Sequence, residues 1–139
     1  MYGNLAGWGP LQGIGAGLAQ LTSSGSVSLV APTDIISETG QELTIDGLRI
    51  VFQHTPGAEA PAELCFYVPE RRALCMAEIA THTLHNVYTL RGAKVRDALA
   101  WARHINEALR LFGTEADIVF ASHHWPTWGN EAVVAFLKG

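Results

Sequence analysis

Glu42-Leu43-Thr44-Ile45-Asp46-Gly47-Leu48-Arg49-Ile50-Val51-Phe52-Gln53 reads as two strands folded back on each other. Asp46-Gly47 lies between two apolar alternations, and both residues tolerate the positive φ that a two-residue hairpin turn demands. Further along, Leu64 to Val68 and Ala73 to Met76 form a second hairpin about Pro69-Glu70-Arg71-Arg72, and Ser26 to Ala31 reads as an earlier strand. The sheet is therefore concentrated between about residues 26 and 77. From Ala93 to Phe112 the apolar period becomes helical, with Val95, Ala98, Ala102, Ile105, Leu109 and Phe112 on one stripe and Gly113 as the stop. Asp117 to Ala121 returns to a strand, and Glu131 to Leu137 reads as a terminal helix. The expected class is mixed α/β, a sheet covered by helices, with chemistry presented by loops at strand ends.

A chain of 139 residues fits one domain, and a domain of that size buries about two-thirds of its unfolded surface. Residues 1–25 hold seven of the fourteen glycines and form a Gly-rich loop segment, leaving 26–139 for sheet and helices. Apolar residues make up 48% and charged residues 16%, which excludes a solvated disordered chain. The net charge is only −4 and the basic residues are scattered, so no stripe exists for a phosphate backbone and nucleic acid is not an expected partner. No run reaches the roughly 18 apolar residues of a membrane span, and Met1 is followed by no basic and apolar leader pattern. The compartment stays open. Cys65 and Cys75 read as small buried thiols; a disulfide between them would depend on the hairpin register.

Three polar clusters interrupt this apolar chain. They are Glu59 in His54-Thr55-Pro56-Gly57-Ala58-Glu59-Ala60-Pro61, the run Glu78 to Arg91, and Ala121-Ser122-His123-His124-Trp125-Pro126. Glu78 follows a buried strand, where a carboxylate needs a cation or an arginine such as Arg71, Arg72 or Arg91. Carboxylates and imidazoles from several strand ends suit a catalytic zinc site, which keeps one position open for water. Neighbours in an extended segment point opposite ways, so only one of His123 and His124 readily enters a given site. His104, beside Arg103, reads as a solvated surface histidine. Two carboxylates brought together without a cation would raise the pKa of at least one of them.

The strings Thr55 to Glu63, Cys75-Met76-Ala77-Glu78, Thr81-His82-Thr83-Leu84-His85-Asn86, Tyr88-Thr89-Leu90-Arg91-Gly92 and Ala121 to Pro126 resemble the alkylsulfatases of the metallo-β-lactamase superfamily. The likeness extends from the start of the chain to about residue 129. It implies part of a metallo-β-lactamase-like αββα sandwich, namely the C-terminal half-sheet with its helices. It also implies two zinc ions bridged by Glu78, with Glu59 binding one and His123 the other. Asn86 and Arg91 match residues that hold the sulfate group, a role that suits the planar fork of an arginine. His82 or His85 would be the acid that assists sulfate departure, or would orient Glu78. The implied reaction is hydrolysis of alkyl sulfate esters, and the implied intact protein is a homo-oligomer.

The superfamily string His-x-His-x-Asp-His is absent: the histidines are His54, His82, His85, His104, His123 and His124. The upstream half-sheet and the dimerisation and lipid-carrier-like regions of the family also exceed this length. Ile79 stands where the family pattern expects Asn. The expectation is therefore a single, incomplete domain over 1–139 with an incomplete zinc ligand set. The alternative is a non-catalytic remnant or interaction domain that retains part of the site. Open half-sheet edges would favour self-association.

Overall fold

The computed structural model describes residues 26, 28–89 and 94–139. The architecture below lies within the unit Asp34–Gly139. Six strands form one sheet in sequence order: β1 (Glu42–Ile45), β2 (Leu48–His54), β3 (Leu64–Val68), β4 (Ala73–Cys75), β5 (Ile118–Phe120) and β6 (Thr127–Trp128). Two helices accompany them, α1 (Ala98–Phe112) and α2 (Asn130–Lys138). Neighbours pair antiparallel except β4 and β5, which are parallel and are connected through α1. The mixed sheet and its helix cover agree with the expected class.

The Asp46-Gly47 turn closes β1 on β2, both residues having positive φ of 51° and 82°, and places Ile45 opposite Leu48. Arg72 at φ 49° closes the second hairpin after a short 3-10 turn at Pro69–Arg71. Its guanidinium pairs with Asp117 at the head of β5, which takes it out of contention as a partner for Glu78. Ser26 and residues 28–31 form no strand; Leu29 and Val30 are almost fully exposed. A strand needs a partner to take up its backbone hydrogen bonds, so an apolar pattern alone is not enough to make one. β6 was not expected: two residues suffice because β5 supplies the pairing, Val119 opposite Thr127.

The core forms where Tyr67, Leu74 and Val119, aligned across β3, β4 and β5, meet α1 and α2. Tyr67 stacks on Phe112 at 5.1 Å, and Val133 and Leu137 bring α2 into the same cluster. The other sheet face carries a ladder of Phe52, Phe66 and Phe120 with ring spacings of 6.3 and 6.1 Å. A sheet apolar on both faces is the pattern of one layered on both sides.

Helix α1 starts later than the periodicity suggested. Asp97 accepts from the backbone N–H groups of Leu99 and Ala100 at 3.0 and 2.9 Å, which fixes it as the N-cap. The buried stripe is also rotated: Trp101, Ala108 and Phe112 are buried, whereas Val95, Ala98 and Ala102 face outward. The stripe read from sequence leaned on two alanines and a valine, whose small surfaces lose to one indole. His104 is half-buried rather than solvated, its Nε2 lying 3.3 Å from the Pro56 carbonyl.

Register settles the cysteines. Cys75 lies opposite Phe66, so Cys65 is one position away and points to the other face. Both are free thiols. Burial pushes the pKa of each upward, so neither is expected to react with Ellman's reagent in the native chain at neutral pH, and both should react in denaturant. Rapid labelling of Cys65 in the folded chain would contradict this register.

Candidate metal centre

The sheet runs β2 up, β3 down, and β4 and β5 up together. The segments that follow β2, β4 and β5 therefore emerge at one end. Glu59 lies in the first, Glu78 in the second and His123 in the third. Beyond the strands, Met76 N–H donates to the Phe120 carbonyl at 2.9 Å and Ser122 N–H to the Ala77 carbonyl at 2.7 Å. These bonds prolong the β4–β5 pairing and bring Glu78 beside His123. Ala77, at φ 48°, turns the chain out of β4, and Ile79 N–H closes the turn onto the Met76 carbonyl at 2.8 Å.

Glu59, Glu78 and His85 each present a ligand atom, and the three atoms lie within 4.8 Å of one another. His123 Nε2 lies 2.8 Å from Glu78 Oε1, and His85 Nε2 lies 3.8 Å from the same oxygen. His85 Nδ1 faces the Asn86 carbonyl at 2.9 Å; a carbonyl only accepts, so Nδ1 carries a proton and Nε2 is the ring atom turned to Glu78. In its neutral form His85 would have an Nε2 lone pair for a cation shared with Glu78 Oε1, 3.8 Å away. Two carboxylates and an imidazole are also hard-to-borderline donors that suit a divalent metal. The residues fit a metal site: Glu59, Glu78 and His85 form the trio, and His123 lies beside it through its 2.8 Å contact with Glu78.

The acids are compensated within the chain, and the rise expected for at least one of the pair does not fall on Glu78. The hydrogen bond from His123 is the largest influence on the Glu78 carboxyl and, with the attraction of His123 and His85, outweighs burial to hold it below its ordinary range. Arg96, only 9% exposed at its side chain, pairs with the Glu59 carboxylate. Glu63 anchors the backbone from behind, accepting from Ala60 N–H at 3.1 Å and Glu78 N–H at 3.3 Å. Burial raises its pKa, and those two N–H groups work against the rise.

Of the two candidate proton-handling histidines, the fold brings only His85 to the acids. His82 stacks on Phe136 at 4.2 Å and packs edge-on against His124 at 5.7 Å, with Nε2 3.4 Å from Thr127 Oγ1. His123 contacts Glu78, whereas His124, in a bend at φ 67°, packs against His82. Asn86 lies beside the trio through the His85 contact and through Arg96, which donates to its carbonyl at 3.0 Å and to Oδ1 at 2.8 Å. Arg91 lies outside the described residues. Arg96 was missed in the sequence because it falls among the polar positions flanking the helix. The signal available was Asp97, a good N-cap, which would have placed Arg96 in the preceding loop. Beside His85 an open groove of about 440 Å³ is lined by Ile79, Leu84, Val87, Trp101, Ile105 and Phe136.

A linear primary-alkylsulfatase from Pseudomonas sp. is 54% identical over 133 residues, covering 96% of this chain and 20% of that protein. The chain is homologous to part of an alkylsulfatase. The solved structure of a stereoselective inverting sec-alkylsulfatase from Pseudomonas sp. superposes on the homologue with a TM-score of 0.77 at 40% identity, covering 80% of this chain and 18% of that one. A metallo-β-lactamase family protein from Thermus thermophilus, 20% identical, shares the fold with a TM-score of 0.58 over 73% of this chain and 32% of its own. The alkylsulfatase homologue is thus a partial metallo-β-lactamase-like domain, and it spans about a fifth of the length of the curated relative. No protein-family model matches it. Among the described residues no helix is long and apolar enough to cross a membrane.

Proposed function

We propose that the alkylsulfatase homologue forms one half of a zinc-dependent catalytic domain that hydrolyses alkyl sulfate esters to an alcohol and inorganic sulfate. Residues 1–139 would be a single, incomplete domain in that reading. The observation that carries it is the convergence of Glu59, Glu78 and His85 within 4.8 Å, in a chain 54% identical to a linear primary-alkylsulfatase. Glu59, Glu78 and His123 are the proposed zinc ligands; a bound zinc would supply an acidified water and a positive charge for the sulfate oxygens. Glu78, held ionised by His123, would serve as a ligand well into mildly acidic solution. Asn86 and Arg91 would hold the sulfate oxygens by N–H donation, and His85 rather than His82 would hold or pass the proton needed by the departing alcohol. The apolar groove beside His85 offers the hydrocarbon chain a place away from water.

One observation favours the alternative of a non-catalytic remnant or interaction domain. Arg96 and His123 already compensate Glu59 and Glu78, so the acids do not require a cation for the fold to persist. Two measurements separate the readings. Competition titration with a chromogenic chelator should find weak zinc binding and fewer than two tight ions per chain, because these ligands cannot complete a binuclear site. Mixed with the remainder of the Pseudomonas relative's catalytic domain, the chain should release sulfate from octyl sulfate, which neither part does alone. No release from a pair shown to associate would support the remnant.

A further inference from the structure

The Arg96 side chain makes four hydrogen bonds, all with Glu59 and Asn86. Its Nε donates to the Glu59 carbonyl at 2.8 Å, Nη2 to the Glu59 carboxylate, and Nη1 to both the carbonyl and Oδ1 of Asn86 at 3.0 and 2.8 Å. Its own backbone N–H donates to the Val87 carbonyl at 2.8 Å, and Asp97 N–H reaches the Gly57 carbonyl at 3.4 Å. The residue therefore stitches the loop carrying Glu59 to the segment carrying Asn86, immediately before α1 begins.

A guanidinium has five N–H donors and no acceptor. Whatever part of the Asn86 side chain faces Arg96 must therefore be the oxygen. With Oδ1 taken by Arg96, the NH₂ end of the amide is left for another partner, and Asn86 is exposed. An asparagine that is to hold a sulfate oxygen must offer Nδ2 and keep Oδ1 back, because two oxygens would repel.

We propose that Arg96 is a positioning residue that fixes the orientation of the Asn86 amide, presenting Nδ2 to an anionic oxygen while it holds the Glu59 loop in register with it. The proposal rests on the reading of Asn86 as a sulfate-holding residue. Lysine cannot replace the fork: one compact ammonium on a flexible stem cannot span the Glu59 carbonyl, its carboxylate and two Asn86 oxygens together.

The test is the Asn86 side-chain carbonyl ¹³C resonance in the 139-residue chain, assigned by its disappearance in Asn86→Ala. The Trp101 Nε1–H resonance reports that the fold is intact. Arg96→Lys and Arg96→Gln should each move the Asn86 carbonyl upfield as the charged donor is lost, with Trp101 unmoved. With zinc present, the octyl sulfate affinity read at the Asn86 NH₂ pair should fall about tenfold in Arg96→Lys, the loss of one oriented hydrogen bond to a charged group. Should Arg96→Gln fail to fold, Arg96→Lys carries the test. A carbonyl resonance at the wild-type position in the folded variants overturns the proposal. If octyl sulfate leaves the wild-type Asn86 pair unshifted, the sulfate assignment fails instead, and the orientation by Arg96 is still judged on the carbonyl resonance.

Discussion

Replacing Trp101 by alanine is expected to destabilise the chain by about 3–5 kcal/mol, the range for deleting a large buried aromatic. Trp101 is 7% exposed and belongs to the core cluster, and its Nε1–H donates to the Ile79 carbonyl at 2.7 Å. The indole also packs against His85 at 5.1 Å between ring centres. Truncation would leave a cavity, an unpaired carbonyl beside buried Ile79, and a His85 without its support. Trp101→Phe should retain most of the packing and lose roughly the value of one hydrogen bond, about 1 kcal/mol. Urea midpoints of the two variants against the wild type measure both terms. A Trp101→Ala cost below about 1 kcal/mol would mean that α1 is not held to the sheet as described.

Glu78→Gln should weaken zinc binding by at least about 100-fold, since even groups that only orient metal ligands are worth about 10–100-fold. The amide keeps the size of the carboxylate and still accepts from His123, but it lacks the charge that a divalent ion requires. The same substitution should abolish sulfate release when the chain is reconstituted with the rest of a catalytic domain. Glu42→Gln is the matched control, because that carboxylate pairs with Arg49 on the edge strand; it should leave zinc affinity unchanged. Equal zinc affinity in Glu78→Gln and wild type would remove Glu78 from the metal centre.

Much of this was legible in the sequence where local chemistry decided it. Asp46-Gly47 specifies its turn because few residue pairs adopt positive φ twice in succession, and the observed hairpin has the expected register. Gly113 and the apolar periodicity gave the C-terminal end of α1 and the core contacts of Ile105, Leu109 and Phe112, but not the face of its first turns. Helical periodicity weighs residues by type, whereas the face that wins is the one whose side chains find partners, here Trp101 against the Ile79 loop. The strand expected at 26–31 failed for the related reason that a strand is a pairing, and pairing is not a property of one segment.

The site divides along the same line. Glu59, Glu78, Asn86 and His123 are conspicuous as polar residues set into apolar sequence, and the order of strands brings their loops to one end of the sheet. The sequence by itself determined the class of fold, the Asp46-Gly47 turn and which polar residues interrupt apolar sequence, because these follow from backbone preference and from the cost of burying charge. Only the tertiary structure decided that His85 joins the acids while His82 stacks on Phe136, and that Arg96 holds Glu59 and Asn86 together. Those choices rest on contacts between residues far apart in the chain, including 37 positions between Arg96 and Glu59 and 45 between His123 and Glu78. Distances of a few ångströms across such separations are fixed by packing, which no local pattern encodes.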